Sequence, residues 1–347
     1  MPNSSVVKLG LVGCGRIAQA AHLPAIAKAQ NVRLCGVCDE SVTLSQQMAR
    51  RYDVQPYLKL TDLLDADIDA VILAVPDRMH VPLAFAAIQS GKHILVEKPI
   101  ATSAREAETL AAALSSSGIK LQVGNVKRFD PGIQFAAAVI RSGRIGKILT
   151  VSSWYRVMSA LRQPIEATLF PALVVDQNIR DREVSLKQTN RENHLLFTHG
   201  VHTFDLLRFL AGDFRICYAE RAVVKTDYSW HVIARLETGG LVSCELTTNI
   251  HAEWSEGIDI YGSLGHMGIR LPFAFFRKAG SVRLFEESSS TYIVPVFGDT
   301  DPYKRQIEAF ADAILNQRNT SPDIEDGISA LRTLETVQAL TERSTQA

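Results

Sequence analysis

The sequence predicts an α/β fold in two parts: a doubly wound parallel sheet, then an α+β half on a mostly antiparallel sheet. Three observations carry this. Over the first 125 residues, short apolar runs alternate with helix-like stretches. A glycine turn, Gly13-Cys14-Gly15, follows the first apolar run at once. After Asn125, strand patterns come in series instead of alternating with helices. Alternation implies parallel pairing through helical crossovers, and right-handed crossovers place helices on both faces of the sheet.

Val6 to Val12 is apolar and β-branched, as a buried strand should be. Ile17 to Ala29 is alanine-rich and suits a helix. Val32 to Cys38 is the second strand, ended by Asp39. Asp69 to Val75 is a third apolar run, and His80 to Ser90 a helix stopped by Gly91. His93 to Val96 is the next strand; Ser103 and Glu106 then form a capping box for a helix running to Ser117, stopped by Gly118. Lys120 to Gly124 is a further short strand.

Doubly wound sheets bind ligands at the carboxyl ends of their strands. Gly13, Asp39, Pro76, Glu97, Lys98 and Asn125 all fall just past strand ends, so they point to one site. Strand, Gly13-x-Gly15-x-x-Ala18 and helix together form a dinucleotide signature. Gly13 permits the tight turn, Gly15 lets backbone approach a pyrophosphate, and Ala18 lets the helix lie close to the strand. The helix start, with Arg16 and Ile17, offers unpaired N–H groups to phosphate. Asp39 lies 24 positions after Gly15, close to the roughly 20 expected of a ribose-binding acid. Its charge would repel a 2′-phosphate, so NAD is expected over NADP. Asp39 also suits the opening of a turn before a helix.

In the second half, Pro131 to Gly143 reads as a helix, and Ile148 to Val157, Arg215 to Thr226, Trp230 to Leu236, Leu241 to Ile250 and Gly257 to Tyr261 as strands. Thr238-Gly239-Gly240 is a hairpin turn. Helices are expected at His199 to Leu210, Tyr303 to Leu315 and Glu325 to Thr341. Met158 to Asn193 shows little periodicity and carries Arg162, Arg180, Arg182 and Arg191, which suits a functional or a disordered loop. The domain boundary is expected at 125/126: a nucleotide-binding domain over 1–125 and a substrate domain over 126–347.

Composition narrows the function classes. Of 347 residues, 46% are apolar and 21% charged, as in an ordinary soluble protein, and a length that suits two domains. Lys plus Arg (37) equals Asp plus Glu (37), so no net charge draws the chain to nucleic acid or an anionic membrane. No apolar run approaches a membrane span, and the first residues lack the basic start of a signal peptide. Five cysteines, an odd number, suit a reducing compartment, so a cytoplasmic location is expected. Cys35 and Cys38 share a strand and point to opposite faces, as core filler rather than a metal pair.

With these residues in view, the chain resembles the Gfo/Idh/MocA family, the glucose-fructose oxidoreductase and inositol dehydrogenase group. The likeness covers nearly the whole length. Beyond the glycine turn and Asp39 it rests on Val75-Pro76-Asp77-Arg78-Met79-His80 and Gly91-Lys92-His93-Ile94-Leu95-Val96-Glu97-Lys98-Pro99. It continues in Gly124-Asn125-Val126-Lys127-Arg128-Phe129, Gly200-Val201-His202-Thr203-Phe204-Asp205-Leu206-Leu207 and Tyr303-Lys304-Arg305-Gln306-Ile307-Glu308-Ala309-Phe310. The resemblance implies a Rossmann domain and a C-terminal domain on a large open sheet. It also implies NAD(P)-dependent redox chemistry on sugars, cyclitols or their derivatives, and dimers or tetramers formed through that sheet. One departure stands out. Where the family commonly has an aspartate four residues before the histidine matching His202, this chain has Thr198, which cannot serve as a carboxylate base.

Moving a hydride from a carbinol carbon requires the hydroxyl proton to leave too, to a group of suitable pKa within hydrogen-bond reach. Lys98 at a strand end can take it if desolvation or a nearby positive charge lowers its pKa, with Glu97 and Pro99 fixing the local backbone. His202 can donate to the substrate oxygen or relay a proton, or pack structurally. His199, His202 and Asp205 share a helix face. With His194 they could suggest a metal, but no cysteine or tight ligand motif accompanies them and none is expected. By the resemblance His80 lies near the nicotinamide; it could equally be a helix-start residue. Asn125 suits the carboxamide, a substrate hydroxyl or a turn, and Arg128 a substrate contact or a brace at the domain junction. Trp154, Tyr155 and Arg156 lie on the first strand of the second half, where an aromatic next to an arginine suits a sugar face, or simple packing. An NAD-dependent dehydrogenase of a polyhydroxylated substrate is the leading expectation. A turnover-free NAD-binding sensor and a lyase or hydrolase using NAD transiently are the alternatives.

Overall fold

The computed structural model describes residues 6–158, 173–273, 275–276, 278–298 and 301–344. Their contacts divide into two compact units. The first holds β1 (Val7–Val12), β2 (Val32–Cys38), β3 (Gln55–Tyr57), β4 (Ala70–Leu73), β5 (His93–Val96) and β6 (Leu121–Val123). They form a six-stranded sheet in the order β3-β2-β1-β4-β5-β6, and every pairing is parallel. The strand order reverses between β1 and β4, the crevice where such sheets take their ligands. β4 is buried throughout, as expected of an uninterrupted apolar run covered on both faces.

The crossovers include α1 (Leu23–Ile26), α2 (Val42–Tyr52), α3 (Leu60–Leu64), α4 (His80–Gln89) and α5 (Ala104–Ser115). Ser103 caps α5 by accepting the Glu106 N–H at 3.3 Å, half of the expected box. The helix expected over 17–29 instead opens with a π-helical turn, Ala18–His22, before α1. The short elements α2, β3 and α3 occupy the stretch between Asp39 and Asp69 that periodicity left unassigned.

The second unit begins at Lys127 with α6 (Pro131–Arg141) and β7 (Ile148–Met158). The expected aperiodic stretch to Asn193 is mostly helical where it is described: α7 (Gln177–Thr189) belongs to the first unit, and α8 (Arg191–Ala211) follows it. Arg162 lies outside the described residues. β8 (Phe214–Val224), β9 (Asp227–Leu236), β10 (Leu241–Ile250), β11 (Ser255–Gly262), β12 (Gly265–Leu271), β13 (Ser281–Glu286) and β14 (Thr291–Ile293) complete an eight-stranded sheet ordered β14-β13-β12-β11-β7-β10-β9-β8. It is antiparallel except where β7 pairs with β10.

The chain then returns to the first unit in α9 (Pro302–Leu315), and α10 (Ile324–Ser344) begins there. One boundary at 125 makes no provision for this return. Its cause is an apolar stripe: Tyr303, Ile307, Phe310 and Ala311 recur at helical spacing and are buried in the same core as Leu9, Leu11, Leu23 and Ile26. Gln122 Nε2 also donates to the Gln306 carbonyl at 3.1 Å.

Candidate functional site

In the first unit the glycine turn is clamped from both sides. Gly13 sits at φ +90°, and a Cβ there would come within 2.4 Å of the Ala74 carbonyl oxygen, so only glycine fits. Its N–H donates to the Cys38 carbonyl at 2.8 Å. A Cβ on Gly15 would meet nothing within 4 Å, so the backbone there faces open space and can be approached closely. Arg16 is exposed and Ile17 half-buried at the start of the π-helical turn. Asp39, at the end of β2, accepts the Cys14 N–H at 2.7 Å and the Ser41 N–H at 2.8 Å. Burial pushes its carboxyl pKa up and these two N–H donors oppose the shift. These residues fit a dinucleotide: a glycine-only turn, an open backbone approach and an acid latched to the same turn.

Past β4 and β5 the picture shifts. His80 is buried, with its ring nitrogens facing the carbonyls of Pro99 (2.7 Å) and Val75 (3.0 Å). Glu97 is buried too; its Oε1 meets His22 Nε2 at 2.8 Å and its Oε2 accepts the Lys98 N–H at 3.2 Å. Burial alone would raise its pKa. The hydrogen bond and charge of His22, with the charge of Lys98, outweigh that and hold it below the ordinary glutamate range. Both side chains, expected among the cofactor contacts, are therefore turned inward as braces. Between them the backbone presents Lys98, half-buried, at the carboxyl end of β5. Pro76 lies half-buried after β4, and Asn125 is buried after β6.

In the second unit, helix α8 sets His199 and His202 against the ring of Tyr155 on β7. His202 stacks on it at 6.1 Å and 18°, and His199 lies at 5.8 Å. Thr198 Oγ1 pairs with His194 Nδ1 at 3.2 Å, one turn back on the helix. Lys127 Nζ sits 4.1 Å from the centre of the Tyr155 ring and 2.5 Å from Glu256 Oε1. Trp254 meets the same ring edge-on at 5.1 Å. Burial pushes the Glu256 carboxyl up and Lys127 opposes it; Glu256 Oε2 has no hydrogen-bond partner among the described residues. The result is an aromatic and basic cluster with two imidazoles able to donate or accept.

Three of the expected substrate residues are placed elsewhere. Arg128 is buried and forks onto Asp205, with Nε at 2.9 Å and Nη2 at 2.7 Å. It braces the second unit through Asp205. Strand alternation puts Trp154 and Arg156 on the opposite face of β7 from Tyr155. There Arg156 forks onto Glu245 at 2.7 and 2.6 Å, and Trp154 Nε1 donates to Ser255 Oγ at 3.0 Å. The residue that faces the histidines is their neighbour Tyr155. The sequence signal for it was the inward row Val151, Ser153, Tyr155, Val157. Lys127 lies within the Gly124–Phe129 stretch of the resemblance, while Glu256 and Trp254 carried no local signal. Among the described residues no three His, Cys, Asp or Glu side chains are grouped to hold a metal ion. No described helix is long and apolar enough to cross a membrane.

Residues 7–125 match the model of an oxidoreductase family with an NAD-binding Rossmann fold. Residues 133–267 match the GFO/IDH/MocA C-terminal domain. An inositol 2-dehydrogenase of Rhizobium meliloti is 26% identical, with 94% of each chain covered. A levoglucosan dehydrogenase solved with NADH aligns at a TM-score of 0.78 and 20% identity, over 97% of this chain and 98% of the other. A 3-ketoreductase from Actinomadura kijaniata solved with NADP aligns at 0.73 and 20%, over 97% and 98%.

Proposed function

Because the chain belongs to the GFO/IDH/MocA oxidoreductase family, we propose that it is an NAD-dependent dehydrogenase of a sugar, cyclitol or related polyhydroxylated substrate. The observation that carries this is the latch between Asp39 and the glycine turn, the Cys14 N–H to Oδ2 contact of 2.7 Å. A carboxylate held against a turn suited to a pyrophosphate supports a ribose contact and NAD as the cofactor. Family relatives include an inositol dehydrogenase, in keeping with oxidation at a CH–OH group. When bound, the nicotinamide supplies the hydride acceptor or donor.

This chain's residues handle the rest. Gly13, Gly15 and the N–H groups at Arg16 and Ile17 hold the pyrophosphate, Asp39 the ribose hydroxyls, and Pro76 and Asn125 line the nicotinamide end. Lys98, held by the braced backbone of Glu97 and Pro99, takes the hydroxyl proton during oxidation and returns it during reduction. His202 donates to the substrate oxygen, and its stacking on Tyr155 fixes the ring plane. Thr198 and His199 contribute hydrogen bonds to substrate hydroxyls. A homodimer or homotetramer through the eight-stranded sheet completes the proposal. A turnover-free sensor is favoured by one observation: Thr198 is paired with His194 where a family carboxylate commonly stands. Steady-state reduction of NAD and of NADP, measured with a panel of sugars and inositols, tests both readings. Turnover with NAD on at least one polyol supports the dehydrogenase. Tight cofactor binding with no turnover across the panel supports the sensor.

A further inference from the structure

The described segment 173–189 is a strap on the first unit, tied at the carboxyl ends of three strands. Behind β1, Gln19 Nε2 donates to the Val174 carbonyl and the Val174 N–H returns to Gln19 Oε1, both at 2.9 Å. Behind β2, Ser41 Oγ donates to Asp176 Oδ2 at 2.6 Å, and Arg182 pairs with Glu40. Behind β4, Arg78 forks onto Glu183 at 2.8 and 2.6 Å. Asp176 is also the N-cap of α7, its Oδ1 accepting the N–H groups of Asn178 and Ile179.

The strap therefore brings a carboxylate beside the acid at the end of β2. Ser41 links the two, its N–H on Asp39 Oδ1 and its hydroxyl on Asp176 Oδ2. A site for a 2′-phosphate needs donors or cations near the ribose acid. Ser41, Arg182 and Arg78 are such groups in this region, and each is held by a carboxylate of Asp176, Glu40 or Glu183. The Ser41 oxygen also accepts the Leu44 N–H at 3.2 Å, so the hydroxyl is engaged on both sides.

Resting on the cofactor assignment above, we propose that Asp176 is a second specificity residue, a strap-borne carboxylate that excludes the 2′-phosphate and selects NAD over NADP. It acts twice: its charge repels the phosphate, and its grip on Ser41 withholds a donor the phosphate could use. Asp39 alone would leave the Ser41 hydroxyl available.

Asp176→Asn tests this, because asparagine caps a helix as well as aspartate while the charge and the acceptor that holds the Ser41 hydroxyl are lost together. Binding of NADH and NADPH is titrated by cofactor fluorescence, at low and high salt, with thermal unfolding as the check on folding. The expected result is about fivefold tighter NADPH binding at low salt, as for one partly screened charge, with NADH changed less than about twofold. The gain should shrink at high salt. If the NADH-to-NADPH ratio of Asp176→Asn matches the unaltered protein while Asp39→Ala shifts it, the role of Asp176 is refuted and the cofactor assignment stands. If the unaltered protein binds neither cofactor, both are refuted.

Discussion

Asp205→Ala should cost the second unit far more than an ordinary surface change. Arg128 and Asp205 side chains are 5% and 2% exposed, and the guanidinium meets the carboxylate through Nε and Nη2. Phe209 covers the guanidinium at 5.0 Å. Removing one partner strands a charge away from water, at a cost of about 3–5 kcal/mol. With about 2–4 °C per kcal/mol for a unit of 150–250 residues, melting should fall by roughly 6–20 °C. The double variant Arg128→Met with Asp205→Leu leaves no charge unpaired and should recover most of the loss. Calorimetry and urea unfolding of the three proteins measure this, with turnover followed alongside. A loss under about 1 kcal/mol in Asp205→Ala would refute the burial argument. A double variant that is stable yet inactive would return Arg128 to the substrate and refute its role as a brace.

His202→Asn should lower turnover by well over about tenfold, since both a donor and a proton relay are lost. Thr198→Ala should remove a hydrogen bond of about 1 kcal/mol at most; if His199→Asn is the most damaging of the three, that ring and not His202 faces the substrate. Glu97 makes a separate prediction about acid. Its folded pKa is depressed, so its stabilisation is present above the unfolded value of about 4.3 and fades as pH falls through the folded one. The stability difference between the unaltered protein and Glu97→Gln should therefore shrink on acidification in urea unfolding, and a difference that grows would contradict the brace.

What could be read from the sequence was what depends on neighbours along the chain. Strand, Gly13 and Asp39 lie within one crossover, and the strand ends that gather Pro76, Lys98 and Asn125 follow from alternation alone. Arg128 and Asp205 are 77 positions apart, so no local pattern could pair them. Helix α7 buries no residue, so its apolar periodicity is absent; its signals are polar, the Asp176 cap and the Gln177–Asp181 bond at 2.8 Å. β12 did carry a signal, the alternating Met267, Ile269 and Leu271, weakened by two glycines. Trp154 and Arg156 show a third limit. Period two separates neighbours onto opposite faces, but which face meets α8 is settled only by burial.

The central claim is that Lys98 carries the proton for a redox step on a bound nicotinamide. Its most direct test compares Lys98→Ala with the unaltered protein in two measurements on one preparation, turnover on the best polyol and NADH affinity. The expected result is a loss of at least about 10² in turnover with NADH affinity essentially retained. Near-normal turnover in Lys98→Ala would contradict it.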